Sequence, residues 1–228
     1  MNETSHIPPP CDEPLRVVFA DDHVVVVDKP AGLLSVPGKF LKDCVQQRIL
    51  FDYPDARIVH RLDLDTSGLM VLGQTREAVA NLNAQFRERR VRKRYRALVH
   101  GALDSAHRTI CLPLAPDPLR RPRHRVDLLR GKSALTRLIR LQLTGDVTEV
   151  DLMPETGRSH QLRLHMASIG HAIYGCDLYA PPQVLKAAPR LMLHASMLCI
   201  EHPVSFDAMS FESPASFSIA DVTVNVSF

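Results

Sequence analysis

A chain of 228 residues, 45% of them hydrophobic and 23% charged, has the balance of a folded globular protein. It is long enough to bury a sizeable core, which excludes intrinsic disorder and fibrous architecture. Residues 1–14 are polar and acidic with three consecutive prolines, Pro8 to Pro10; they read as a flexible tail and lack the apolar stretch of a secretory signal. No apolar run is long enough to suggest a membrane span. The cysteines Cys11, Cys44, Cys111, Cys176 and Cys199 are odd in number and contain no CxxC pair. That pattern predicts a reducing, cytoplasmic compartment and argues against a zinc site or a disulfide framework.

In chain order, residues 15–20 and 24–29 read as two short strands around the turn signal Asp21-Asp22-His23. Residues 44–51 suit a short helix, and residues 68–73 an apolar strand. Thr75 is then placed to cap a helix running to about Arg89, with Val79, Leu82 and Phe86 on one face. Residues 91–101 alternate as a strand, with Tyr95, Ala97 and Val99 on one side and Arg94, Arg96 and Leu98 on the other. Residues 113–131 hold four prolines and no period, and read as an exposed, mobile, cationic loop. Strands over 135–143 and 148–153 flank a turn at Gly145-Asp146. Residues 159–169 suit a helix with Leu162, Met166 and Ile169 inward, and residues 191–200 a late strand. Strands outnumber helices, no linker divides residues 15–228, and the predicted class is α+β with a mixed, mainly antiparallel sheet flanked by helices and loops, in one domain.

The net charge of +3 is unevenly spread. Between Arg87 and Arg140 there are 16 Lys or Arg against 4 Asp or Glu, a local balance of +12 that leaves −9 for the rest of the chain. Such a run is either a solvated face or a footprint for a polyanion, where Lys and Arg gain free energy by releasing condensed counterions. Several chemistries fall away. Residues 32–39 imitate a phosphate-binding loop but have five residues between the glycines, and Phe40 stands where a hydroxyl is needed. Neither GxGxxG nor GxSxG occurs. His160, His165 and His171 are spaced so that they do not share a helix face, so core or RNA-contact histidines are favoured over metal ligands.

Two polar segments carry the remaining signal. Residues 60–69, HRLDLDTSGL, run straight into an apolar strand, which is the setting for a positioned carboxylate on a rigid strand edge. The alternative is a surface loop with a salt bridge from Arg61 to a neighbouring Asp. Residues 154–163, PETGRSHQLR, open a helix with two arginines and a glycine, a natural anion site.

Together with residues 28–33 (DKPAGL), 93–97 (KRYRA), 170–173 (GHAI), Tyr179 and 191–195 (LMLHA), these segments resemble the RluA family of RNA pseudouridine synthases, in order and spacing, over about residues 15–215. The likeness is greatest to short, dual-specificity members without an N-terminal S4 domain, through residues 32–38 (GLLSVPG) and 85–89 (QFRER). Two positions depart from the family pattern: Ala172 stands where a proline is usual, and Cys176 where an aspartate is usual, with Asp177 following.

The resemblance implies the pseudouridine synthase catalytic fold and an isomerase that turns uridine into pseudouridine in structured RNA. Breaking the N1–C1′ bond and rejoining C5 to C1′ passes near an electron-deficient sugar, and one carboxylate suffices because no water is admitted. The family match makes Asp63 that carboxylate, either attacking C1′ or removing the C2′ proton. A dry pocket calls for a counter-charge, with Arg163 the candidate. Tyr95 would offer a face for uracil and a hydroxyl for proton transfer; without the match it is a half-buried strand tyrosine. The target must be flipped out of its stack, with Arg61 filling the gap. Leu193 is assigned to the apolar wall around the base, and Lys132, Arg158 and His160 to RNA contacts. The implied partners are a tRNA anticodon stem-loop and a 23S rRNA hairpin, bound by a monomer, with no membrane, metal or cofactor. The competing readings are an RNA-binding or remodelling protein of the same fold without catalysis, and a metal-dependent RNA hydrolase using the histidines.

Overall fold

The computed structural model describes residues 10–223, so the first nine residues of the expected tail lie outside the described residues. The chain forms two compact units, one from Met1–Val91 with Cys199–Phe211 and the other from Arg92–Leu198 with Glu212–Phe228. In the first unit β1 (Arg16–Ala20), β2 (Val24–Lys29), α1 (Val45–Ile49), β3 (Arg57–Ile58), β4 (Ser67–Gly73) and α2 (Arg76–Arg87) follow in order. β1 pairs β2, and β2 and β3 both pair β4, all antiparallel. The four valines Val24 to Val27 are fully buried and every residue of β4 is buried, so these strands read as continuous apolar runs rather than alternating ones.

Thr75 caps α2 by accepting from the N–H of Ala78, as the sequence predicts. The buried face differs from expectation: Ala78, Leu82 and Gln85 face inward, while Val79 and Phe86 are half-buried. Gln85 is drawn in by Glu201, whose carbonyl accepts from its amide at 2.7 Å and whose N–H donates back at 3.0 Å. The helix sits close over the end of β4. A Cβ at Gly73 would lie 2.8 Å from Val79 Cγ2 and 2.9 Å from its backbone nitrogen, a distance only glycine tolerates.

The second unit contains β5 (Arg92–His100), β6 (His107–Cys111), β7 (Leu114–Pro116), β8 (His124–Val126), β9 (Leu135–Thr144), β10 (Val147–Pro154), α3 (Gln161–Ser168) and α4 (Pro182–Lys186). β11 (Leu193–Glu201) belongs to it up to Leu198, and β12 (Ala208–Glu212) and a short 3-10 turn (Ile219–Asp221) complete the chain. β10 pairs β5 on one side and β9 on the other, and β6 pairs β9, again antiparallel. The core of this unit gathers Ala97 to Val99, Val150, Leu152, Met166, Ile173 and Leu191 to Leu193. None of the helices among the described residues is long and apolar enough to cross a membrane. All five cysteines are free thiols.

Two expectations change here. Residues 113–131 are not structureless: β7 and β8 pair as a two-stranded hairpin, Leu114 opposite Val126 and Pro116 opposite His124. Its ends are tied by carboxylates. Asp117 accepts from Leu119 N–H at 3.1 Å and Arg120 Nε at 2.9 Å, while Asp127 accepts from Leu129 and Arg130 N–H at 3.1 and 2.9 Å. The strands are only three residues long, so they leave no readable alternation. α3 also begins at Gln161, two residues after the expected start, and its residues 161–166 are all buried, including Arg163 and His165.

The polar side chains on α3 are satisfied in a closed chain of hydrogen bonds. Thr156 Oγ1 donates to Gln161 Oε1 at 2.7 Å, Gln161 Nε2 to Thr136 Oγ1 at 3.0 Å, and Thr136 stands 2.9 Å from His165 Nδ1. His165 Nε2 donates to the Leu112 carbonyl at 3.0 Å, which makes Nδ1 the acceptor and the ring neutral. Burial pushes the His165 pKa below its ordinary 6.5, against the opposing pull of that carbonyl. The fold therefore favours the uncharged ring. Stability from this site is complete above pH 6.5 and is lost as pH falls through 6.5 toward the lower folded value. Urea unfolding at pH 7.5 and 5.5 is expected to show a drop, with His165 contributing at most about 1.4 kcal/mol per pH unit. In His165→Gln the drop shrinks; an identical drop in both proteins would refute the assignment.

Candidate active site

Asp63 and Arg61 lie in the first unit, on the turn between β3 and β4, with Asp63 half-buried and Arg61 exposed. The turn is held from several directions. Asp63 C=O accepts from Thr66 N–H at 3.2 Å. Ser35 Oγ donates to the Leu62 carbonyl at 2.8 Å and accepts from its N–H at 3.1 Å. Lys29 is fully buried, and its Nζ donates to the carbonyls of Pro30, Leu33 and Leu64 at 2.9, 2.7 and 2.9 Å. Gly32 N–H reaches the same Leu64 carbonyl at 3.0 Å, its φ of +79° being open to glycine.

His60 completes the mounting. Its Nε2 accepts from Val71 N–H at 3.0 Å, so Nδ1 bears the hydrogen, and its ring stacks on Phe86 with centroids 4.5 Å apart. The DKPAGL and HRLD segments are thus two halves of one scaffold, a role that the sequence reading left unassigned for Lys29, Ser35 and His60. A buried lysine next to a proline was the available signal, since an ammonium is left in a core only where carbonyls gather round it.

Tyr95, Lys132, Arg158, His160, Arg163 and Leu193 all lie in the second unit. Arg163 is 3% exposed; its Nε donates to Cys176 Sγ at 3.3 Å, its terminal nitrogen pairs with Asp177, and its Cζ stands 5.7 Å from the Tyr179 ring centre. Cys176, which stands where the resemblance leads one to expect an aspartate, and Asp177 after it thus both engage this guanidinium. Arg158 N–H donates to Gln161 Oε1 at 3.1 Å and its Nε to the Ser133 carbonyl at 3.1 Å, next to exposed Lys132. His160 takes a left-handed conformation, φ 56°, and its Nδ1 lies 2.8 Å from the Tyr179 hydroxyl. His171, the third histidine considered as a ligand, has its Nδ1 2.9 Å from the His100 carbonyl. Tyr95 is half-buried on β5 and packs against the core, and Leu193 is 2% exposed within it. Lys93, which sequence reasoning missed, brings its Nζ to Gly157, where a Cβ would lie 4.0 Å away, and burial lowers its pKa.

The cationic span is more neutral than its composition. Arg94 pairs with Glu212, Arg96 with Glu149 and Asp151, Arg120 with Asp117, Arg125 with Asp127 and Arg137 with Glu155. Arg121, Arg123, Arg130 and Lys132, all on or beside the hairpin, have no ion pair among the described residues, and all but Arg123 are exposed. The hairpin thus presents positive charge that is available to a polyanion.

The sequence profile of RNA pseudouridylate synthases matches residues 23–168. The dual-specificity RNA pseudouridine synthases RluA of Escherichia coli K12, Pasteurella multocida and Haemophilus influenzae are 47%, 44% and 41% identical over 212 residues, 92% of this chain and 97% of theirs. The solved structure of human RNA pseudouridylate synthase domain containing 1 superposes with a TM-score of 0.79 at 28% identity, covering 94% of this chain and 89% of that one. Human RNA pseudouridylate synthase domain containing 4 shares the fold, with a TM-score of 0.71 at 20% identity over 88% of each chain. With the profile spanning more than half of its residues and relatives this similar along nearly its whole length, the chain belongs to the RNA pseudouridylate synthase family, isomerases that act on RNA.

Proposed function

We propose that this enzyme is a dual-specificity pseudouridine synthase that acts, as a cytoplasmic monomer, on one uridine of a tRNA anticodon stem-loop and one of a 23S rRNA hairpin. The similarity to relatives named dual-specificity, sustained over 92% of the chain, carries this reading. Asp63 is the carboxylate that attacks C1′ or withdraws the C2′ proton. Its mounting supports the role: Lys29, Ser35 and His60 hold the turn by backbone contacts, and Asp63 on that turn is half-buried, so the carboxylate is carried on a fixed backbone. Arg163 supplies the positive charge that an ionised carboxylate needs in a water-poor setting. Tyr95 supplies a ring for the uracil and a hydroxyl for proton transfer, and Leu193 an apolar neighbour. Arg61, exposed two residues before Asp63, fills the gap left by the everted nucleotide at a stacking cost of a few kcal/mol. Arg158, His160 and Lys132 contact the RNA. An isomerisation conserves atoms and electrons, so the chemistry asks for no redox partner.

The test is to map pseudouridines at nucleotide resolution in total RNA from cells with and without the gene. One anticodon-loop uridine and one 23S rRNA uridine are expected to revert; loss at neither site would refute the dual assignment. Binding to either RNA is further expected to weaken steeply with salt. If Arg121, Arg123, Arg130 and Lys132 each meet a phosphate, log Kd changes with log salt with a slope of about 3. A slope below about 1 in filter binding would show that the hairpin is only a solvated surface.

A further inference from the structure

We propose that Tyr179 is a positioning residue that ties the arginine-rich β7–β8 hairpin to Arg163, so that RNA seated on the hairpin is registered against that guanidinium. The inference rests on the reading above, in which the hairpin meets RNA and Arg163 serves the reaction.

Three contacts meet at this one side chain. The Tyr179 hydroxyl accepts from the N–H of His124, the first residue of β8, at 2.8 Å. The same oxygen lies 2.8 Å from His160 Nδ1. With the amide hydrogen directed at the oxygen, the phenol proton is available to Nδ1. Below the hydroxyl, the ring stands 5.7 Å from the Arg163 guanidinium carbon. His160 is the residue before α3, and its carbonyl accepts the Leu164 N–H at 2.9 Å to start the helix on which Arg163 is the third residue. A histidine at φ 56° is strained, and the bond to Tyr179 is one of the contacts that hold it there. The segment carrying Tyr179 is itself rigidly set. Gly175 has φ +71°, and a Cβ there would fall 1.8 Å from the Arg190 carbonyl oxygen, while Cys176 and Asp177 both bind Arg163.

The hairpin is otherwise an outlying element. Its turns are closed by its own carboxylates, Asp117 and Asp127. It meets α3 through a small apolar cluster of Leu114, Ala134 and Leu164, with Val126 and Tyr179 packed alongside. The His124 ring, edge-on to His160 at 5.2 Å between centroids, has a buried Nδ1 without a hydrogen-bond partner. The Tyr179 hydroxyl thus supplies a directional bond where the surrounding packing is slight, and directional bonds set register where apolar contacts slide.

The test separates ring from hydroxyl. Tyr179→Phe keeps the ring under Arg163 and removes both hydrogen bonds. RNA binding is expected to weaken three- to tenfold, with a smaller effect on the single-turnover rate at saturating RNA. Tyr179→Leu is expected to weaken binding equally and also to slow the saturated rate by tenfold or more, the phenylalanine variant restoring most of that loss. A purely structural tyrosine would lower thermal stability without this division between affinity and rate, and equal losses of the saturated rate in both variants, or no loss of affinity in either, would overturn the proposal. Should either variant fail to fold, amide exchange in the unaltered protein decides: His124 N–H is expected to be protected well beyond its exposed neighbour Arg125, and equal exchange overturns the link. A wild-type enzyme that forms pseudouridine while the two variants match it sinks this inference alone; a wild-type enzyme that forms none sinks the underlying reading as well.

Discussion

Asp63→Asn is expected to lower pseudouridine formation by at least about a thousandfold while leaving RNA affinity within a few-fold. The substitution keeps the shape of the side chain, and it leaves in place the backbone bond in which Thr66 N–H donates to the Asp63 carbonyl at 3.2 Å. What the amide cannot do is attack C1′ or hold a proton taken from C2′, so the loss falls on the chemical step. Removing a negative charge leaves the phosphate contacts of the hairpin untouched, which is why affinity survives. The measurement is release of tritium from C5-labelled uridine RNA under single-turnover conditions, beside filter binding of the same RNA. A variant that keeps a tenth or more of the rate would remove Asp63 from the mechanism.

Lys29→Met is expected to destabilise the protein by about 3–5 kcal/mol and to reduce activity even where the chain stays folded. Methionine fits the space of the lysine stem but leaves the carbonyls of Pro30 and Leu33 without the donor that now sits 2.9 and 2.7 Å from them, in a site sealed from water, while the Leu64 carbonyl loses one donor and keeps the Gly32 N–H. Each orphaned acceptor costs about 1–3 kcal/mol before relaxation, against a total stability of about 5–15 kcal/mol. Because Leu64 adjoins Asp63, loss of the lysine bond to its carbonyl loosens the turn that carries the carboxylate. Denaturant unfolding checks the first effect, and the saturated rate of the folded fraction checks the second. A change in stability under about 1 kcal/mol would mean that the ammonium is not the tether of this turn.

The elements legible in the sequence are those whose cause is local. The run Val24 to Val27, the Thr75 cap and the Gly145-Asp146 turn between β9 and β10 each follow from neighbours a few residues away, and each is found in place. Features that depend on distant partners were not legible in that way. Gln85 is buried because Glu201 receives it, 116 residues on, and no 3.6-residue period encodes that. α3 looked amphipathic through Leu162 and Met166, yet Arg163 and His165 are buried too, since Thr136, Leu112, Cys176 and Asp177 meet their polar atoms from elsewhere in the chain.

By itself the sequence determined which chemistry the protein carries. The order and spacing of DKPAGL, HRLDLDTSGL, KRYRA and TGRSHQLRLH identify a family, and strand and helix preferences are settled by short-range sterics and capping. Only the tertiary structure decided what holds those motifs in position: Lys29 clasping Leu64 across 35 residues, Ser35 clasping Leu62 across 27, and Tyr179 reaching His124 across 55. The physical reason is that a buried polar group must find a partner somewhere in the folded chain, and which partner it finds depends on packing at long sequence separation, where local pattern is silent.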